Sequence, residues 1–326
     1  MSSFLQDYLG WGEQVRRAVE SPLERVTRAK EVKGLAVVGM GGSGIVGDVV
    51  RSLAANYAGL SYPVEVVKDT HLPQWVGEGW VVLAVSYSGN TVETLAAVEE
   101  AIGRGAFVAG VSSGGALKEV LSSKGLPWAG VEGGHAPRSA LPSLTIASLK
   151  LLQAIGVGVG GDLSRVPSLL RRAEEVMEIA DRVLATVSKG VPAFIATSRW
   201  SGLAIRAKNE FNENGKTLAA AMIAPEWGHN DVVGFEGSEF PAIFFKEPGN
   251  PVSEAVEAVL KQFSKKHLII ELRRAETQEE YVAEFISISQ AVGIASVRYG
   301  QGRRVDPRET ASINLYKKVL KEVINR

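Results

Sequence analysis

Ser86-Tyr87-Ser88-Gly89-Asn90-Thr91 decides how this chain is read. The apolar run Trp80-Val81-Val82-Leu83-Ala84-Val85 precedes it and has the pattern of a strand buried on both faces. Residues 92–101, Val-Glu-Thr-Leu-Ala-Ala-Val-Glu-Glu-Ala, follow it and have the pattern of a helix. A buried strand, a hydroxyl-rich turn and a helix start make one unit of a parallel α/β sheet. The same junction suits a phosphate, because unbonded N–H groups and the positive end of the helix dipole face the ligand. Ser86, Ser88 and Thr91 add three hydroxyl donors. An ordinary helix cap would need only one of them.

Outward from this loop the same unit recurs. Strands are expected at residues 34–39, 64–68, 106–111 and 127–131. Helices are expected at 45–56 and 141–155, and residues 1–30 read as amphipathic helix with a break at Ser21-Pro22. The first strand runs into Gly39-Met40-Gly41-Gly42-Ser43-Gly44, which matches G-x-G-x-x-G between a strand and a helix. That is the dinucleotide fingerprint, so a dehydrogenase is a rival reading. The fingerprint also needs an acid at the end of the second strand, and Asp69, just past Lys68, is only a loose candidate. Two loops at neighbouring strand ends converge on one crevice in an open sheet, which favours a small phosphorylated ligand held by both.

The glycine run at residues 156–161 reads as a linker, giving one half over 1–155 and another over 156–326. A helix is expected at 167–188, then strands at 192–197, 241–246 and 267–272, with helices at 200–211, 251–265 and from 309 onward. The expected class is therefore α/β, two doubly wound units each with a parallel sheet flanked by helices. Candidate chemistry lies at the end of the 200–211 helix. There Glu210 and Glu213 share a face if the helix continues, and Gly215 is a natural terminator. A carboxylate at such an edge can act as a base, although a solvated helix end would look the same. Arg138, between Pro137 and Pro142, and His229, in a turn-rich segment, are weaker candidates that are as easily structural.

Composition narrows the class further. Hydrophobic residues are 45% of the 326 and charged ones 22%, enough for packed cores in about two domains. Lys+Arg and Asp+Glu both number 36, which gives no support for nucleic acid or a membrane surface as partner. With no cysteine, disulfides, thiolate metal sites and a cysteine nucleophile are excluded. The histidines show no metal-binding spacing, the amino terminus lacks signal-peptide character, and Lys150 interrupts the best apolar stretch. A cytoplasmic enzyme is the expectation.

These segments together resemble the archaeal bifunctional phosphoglucose/phosphomannose isomerases, built from two sugar-isomerase (SIS) domains, over nearly the whole chain. The marks are residues 39–44, residues 85–91, Ala136-Pro137-Arg138-Ser139-Ala140-Leu141-Pro142, Lys208-Asn209-Glu210-Phe211-Asn212-Glu213-Asn214 and Gly293-Ile294-Ala295-Ser296-Val297. The 86–91 loop is common to many SIS proteins and marks only the fold, whereas the segments at 136–142 and 208–214 are more specific. The resemblance implies a flavodoxin-like fold and an aldose–ketose isomerase acting on glucose 6-phosphate, mannose 6-phosphate and fructose 6-phosphate, with no metal or cofactor. Gly42, Ser43, Ser86, Ser88 and Thr91 would hold the phosphate. Glu213 would be the base moving a proton between C2 and C1, and Arg138 would steady the enediolate oxygen. His229 would assist ring opening from the partner subunit of a homodimer. Lys317 would act with it, Lys318 being the alternative register, and Thr310 would line the sugar site. The family often carries two histidines before the Asn of this segment, and here only His229 is kept. A non-catalytic sugar-phosphate sensor would need the loops but not Glu213, Arg138 and His229. The isomerase half of an amidotransferase would go with a glutaminase domain that this chain lacks.

Overall fold

The computed structural model describes residues 3–57, 59–60, 62–187, 190–237 and 239–324. Helices α1 (Ser3–Leu9) and α2 (Trp11–Glu20) lead into a short strand β1 (Leu23–Glu24). Then follow β2 (Gly34–Val38), α3 (Gly41–Asn56), β3 (Val64–Val67), β4 (Trp80–Val85), α4 (Val92–Gly103), β5 (Phe107–Ser112), α5 (Gly115–Ser123), β6 (Trp128–Gly130) and α6 (Leu141–Ala154). The sheet order is β1-β6-β5-β4-β2-β3, parallel except for β1 against β6. All residues of β2 and β4 are buried, as their unbroken apolar runs require when helices cover both faces.

The second half repeats the scheme in fewer strands. It comprises α7 (Val166–Leu169), α8 (Ala173–Thr186), β7 (Ala193–Thr197), α9 (Ser201–Gly215), β8 (Ala220–Ala224), β9 (Ala242–Lys246), α10 (Pro251–Phe263), β10 (His267–Glu271), α11 (Gln278–Gly302) and α12 (Ala311–Ile324). Its order is β10-β9-β7-β8, all parallel. In both sheets the first long strand lies inside, the next joins one side of it, and the third joins the other. The winding therefore reverses between β2 and β4 and again between β7 and β9, which is where such sheets open a crevice at their carboxyl ends.

One continuous core, from Phe4 to Val297, fills the space between the two sheets. Here α1 packs on α11, α2 on α6 and α3 on α9. Each sheet carries a smaller apolar cluster on its outer face.

Several local expectations change. The opening helix breaks at Gly10 and ends at Glu20, so Ser21-Pro22 follows a helix instead of interrupting one. Trp11 explains the break: it is fully buried and its indole N–H donates to Ser139 O at 2.9 Å. The helix expected at 167–188 divides into α7 and α8, where the Arg171 N–H donates to Ser287 Oγ and its guanidinium pairs with buried Glu284; Ser188 lies outside the described residues. Residues 115–123, for which the sequence raises no expectation of an element, form α5. The alanine-rich stretch 220–224, which lacks a dense β-branched signal, forms edge strand β8. The glycine run at 156–161 is tethered. Val157 and Val159 are buried, and the Gly160 N–H donates to Gln278 Oε1.

Candidate active site

The crevice at the β2/β4 reversal is a cavity of about 320 Å³. Helix α3 starts within the glycine loop, and its N-cap, Met40, supplies no side-chain hydrogen bond. Helix α4 starts at the hydroxyl loop, and its N-cap Thr91 also leaves the first turn without a side-chain cap. Two helix N-termini thus present backbone donors to one cavity, and Ser43, Ser88 and Thr91 line the same wall. Ser43 Oγ accepts the Tyr87 N–H at 3.2 Å, tying the two loops together.

Ser86 lies behind this wall. It is 1% exposed, and its hydroxyl shares a 2.9 Å hydrogen bond with Thr91 Oγ1. Its place is to hold Thr91, and it does not line the cavity. The loop can keep its shape because position 89 is glycine: φ is +68°, and a Cβ would fall 1.8 Å from Gly114 O. Asn90 straps the loop to the start of α5 by accepting the Ala116 N–H at 3.0 Å. Gly42 serves a different need. A Cβ there would lie 3.2 Å from both Pro137 O and Arg138 Cα, so glycine lets the first loop touch the segment carrying Arg138.

The dinucleotide reading loses its ribose acid. Asp69 accepts the N–H of its neighbour Thr70 at 2.6 Å, and Lys68 is paired with Asp48 at 2.6 Å. Neither Lys68 nor Asp69 lines the cavity.

The opposite wall comes from the second half. Helix α9 runs past residue 211 to Gly215, where Lys216 takes φ +49° as its left-handed cap. Glu210 and Glu213 are thus both helical, but their surroundings differ. Glu210 is buried, pairs with Arg206 and accepts the Tyr8 hydroxyl at 2.6 Å. Glu213 keeps 24% of its side chain exposed and lines the cavity. Arg138, on the 3-10 turn Pro137–Ala140, is 4% exposed and reaches Glu213 Oε2 at 3.2 Å. Its Nε donates to Asn214 Oδ1 at 2.6 Å and its Nη2 to Pro307 O at 2.7 Å, while the Phe4 ring lies 4.9 Å from its guanidinium carbon. Burial lowers the Arg206 guanidinium to about 10, which leaves it charged at neutral pH. Burial also lowers the Lys216 amine and raises the Tyr8 phenol.

Thr310 and Lys317 complete the rim, and Lys318 does not line the cavity. His229 lies elsewhere, exposed at the end of the turn Glu226–His229. Among the described residues, no group of three or more His, Cys, Asp or Glu side chains is arranged to hold a metal. Sequence reasoning assigned nothing to Tyr8, Arg206 or Asn214. The i, i+4, i+8 spacing of 206, 210 and 214 on one helix was the available signal.

The arrangement has two poles, one of helix N-termini and hydroxyls, the other a carboxylate paired with a buried guanidinium. Such a cavity suits a small phosphorylated polyol whose reacting end needs a base and a cation.

Comparison with known proteins places the chain among sugar-phosphate enzymes. The family described as the bacterial phospho-glucose isomerase C-terminal SIS domain matches residues 177–320. The bifunctional phosphoglucose/phosphomannose isomerase of Pyrobaculum aerophilum is 33% identical over 98% of this chain and 100% of its own length. A D-glucosamine-6-phosphate 4-epimerase of Sulfolobus acidocaldarius is 30% identical over 78% of this chain and 80% of its own. In fold, the glucosamine-6-phosphate deaminase of Thermotoga maritima superposes with a TM-score of 0.70 at 13% identity, over 95% of this chain and 98% of that one.

Proposed function

The chain belongs to the family of bifunctional phosphoglucose/phosphomannose isomerases, and from that premise we propose that it interconverts glucose 6-phosphate and mannose 6-phosphate with fructose 6-phosphate. It is an aldose–ketose isomerase with SIS architecture. The observation that carries the site assignment is the Arg138–Glu213 pair at 3.2 Å, in a cavity that also receives the uncapped starts of α3 and α4.

In this reading the phosphate binds at the two helix starts, with Ser43, Ser88 and Thr91 as hydroxyl donors and Ser86 bracing Thr91. The sugar ring opens, and Glu213 takes the C2 proton. The electrons of that C–H bond form the C1–C2 double bond, and the carbonyl oxygen gains negative charge. Arg138 stabilises that oxygen. The hydroxyl proton on O2 passes to O1, and Glu213 then returns its proton to C1, so that C2–O becomes the carbonyl of the ketose. Both C2 epimers can use one base if the open chain rotates about its backbone before proton removal.

Thr310 and Lys317 line the sugar end, and Lys317 is favoured over Lys318 by its position on the cavity. Ring opening is assigned to His229 of a second copy in a cytoplasmic homodimer. Two features support the shared site. His229 is exposed away from its own cavity, and α12, which carries Lys317, turns Leu315, Tyr316, Val319 and Val323 to solvent.

The test is an assay of the purified protein with glucose 6-phosphate, mannose 6-phosphate and glucosamine 6-phosphate, with a chelator present. Fructose 6-phosphate is expected from the first two. Turnover of glucosamine 6-phosphate alone, or binding without turnover, would overturn the proposal.

A further inference from the structure

Beneath the Arg138–Glu213 pair lies a buried polar chain that has no part in the reaction as described. Asn214 faces Arg138 on one side, with Oδ1 accepting the Arg138 Nε–H at 2.6 Å. On its other side Nδ2 donates to Glu210 Oε2 at 2.6 Å, with Tyr8 Oη at 3.0 Å and Ser296 Oγ at 2.9 Å also in reach. Glu210 Oε2 in turn accepts the Tyr8 hydroxyl at 2.6 Å, and its carboxylate pairs with Arg206. Arg206 loops back to donate to the Arg138 carbonyl at 2.5 Å. Tyr8, Asn214 and Arg206 are almost wholly buried, as is Glu210 at 1% exposure.

The chemistry of this chain has a direction. An amide side chain has one accepting and one donating end, and nothing in its shape decides which faces where. A carboxylate only accepts. Glu210 therefore requires the NH₂ end of Asn214, which turns the carbonyl end toward Arg138, where a guanidinium can only donate. With the amide reversed, N–H would face N–H at Arg138 and oxygen would face oxygen at Glu210. Arg206 pairs with Glu210 Oε1, and the Tyr8 hydroxyl donates to the same Oε2 that takes the Asn214 amide.

We infer that Glu210 and Asn214, with Tyr8 from the opening helix, are positioning residues that fix the Arg138 guanidinium against Glu213. The inference rests on the isomerase reading. It also explains why a second glutamate, one turn from the base, is sealed from the cavity: Glu210 sets an orientation and never meets the sugar.

The experiment compares Asn214→Ala and Tyr8→Phe with the unmodified protein on glucose 6-phosphate. Inorganic phosphate binding serves as a check that the loops are folded. Arg138 acts on charge that develops in the transition state, so loosening it should lower kcat much more than it raises KM. For Asn214→Ala we expect kcat to fall about tenfold or more, with KM within about twofold. Tyr8→Phe should show the same split at a smaller size.

A merely structural role would lower the melting temperature but leave kcat per folded molecule in place, and that result overturns the inference. If Asn214→Ala fails to fold, Tyr8→Phe decides alone on the same split between kcat and KM. Absence of isomerase activity in the unmodified protein would instead defeat the function itself, so the two failures are distinguishable.

Discussion

At the scale of single residues, Glu213 is the position on which the proposed chemistry turns. Glu213→Gln keeps the size and the contact with Arg138 but removes the base, and kcat should drop on the order of a hundredfold or more for both aldoses. Binding of fructose 6-phosphate, measured by calorimetry, should change little. Near-normal turnover would move the base elsewhere. Glu210 could not inherit the role without leaving its pair with Arg206. The sequence placed both glutamates on one helical face but could not rank them. What separates them is depth, since Glu210 meets Tyr8 and Ser296, residues far away in the chain. Arg138 shows the same limit. Its flanking prolines hinted at a fixed backbone, yet its anchors, Asn214 and Pro307, come from the other half of the molecule.

At the scale of elements, the strand–loop–helix junctions were legible because each is local. An apolar run, a glycine or hydroxyl turn and a helical period lie in continuous sequence, and β4 falls at residues 80–85 as read. The less legible elements depend on context. Strand β8 is held by pairing with β7, and the first turn of α5 is bonded by Gly89 and Asn90 from another loop. The two helix starts proposed to hold the phosphate carry a test of their own. Ser43→Ala, Ser88→Ala and Thr91→Ala should each raise KM, with kcat less affected. A hydrogen bond to a charged, non-reacting phosphate contributes about 1.5–3 kcal/mol to substrate and transition state alike. Ser86→Ala should act only through Thr91 and be the mildest of the four. If KM is unchanged in all four, the phosphate does not bind at this loop. For the glycine loop, Gly42→Ala should damage kcat more than KM, because its Cβ would press on the Arg138 backbone.

At the scale of the whole molecule, alkali and subunit exchange are the informative probes. Tyr8 and Tyr281 are fully buried, and burial raises both phenols above their usual value near 10. Unfolded, they lose their protons above about pH 10; folded, they keep them. The folded state then binds more protons, so stability is intact below pH 10 and falls as pH rises beyond it. Each tyrosine adds a slope of up to about 1.4 kcal/mol per pH unit. The urea midpoint should therefore drop steeply above pH 10, and Tyr281→Phe should flatten part of that fall. A curve that stays level to pH 11 would contradict the burial of these rings. Subunit exchange tests the shared site. Mixing inactive Glu213→Gln with inactive His229→Ala gives heterodimers with one doubly damaged site and one intact, so activity should return to about half per heterodimer. If subunits exchange and no activity returns, His229 serves its own chain. Two repeated α/β units were visible in the sequence, but their mode of union was not, because the contacts that join them link residues hundreds of positions apart. The core between the sheets runs unbroken from Phe4 to Val297, with α1 seated on α11. The glycine run at 156–161 is thus a poor place to recombine this chain with a relative. A chimera spliced there would pair one parent's Phe4 and Tyr8 with the other parent's helices, leaving a mismatched seam directly beneath Arg138. Workable crossovers would have to carry the first ten residues together with the last third of the chain, as though the protein were circular.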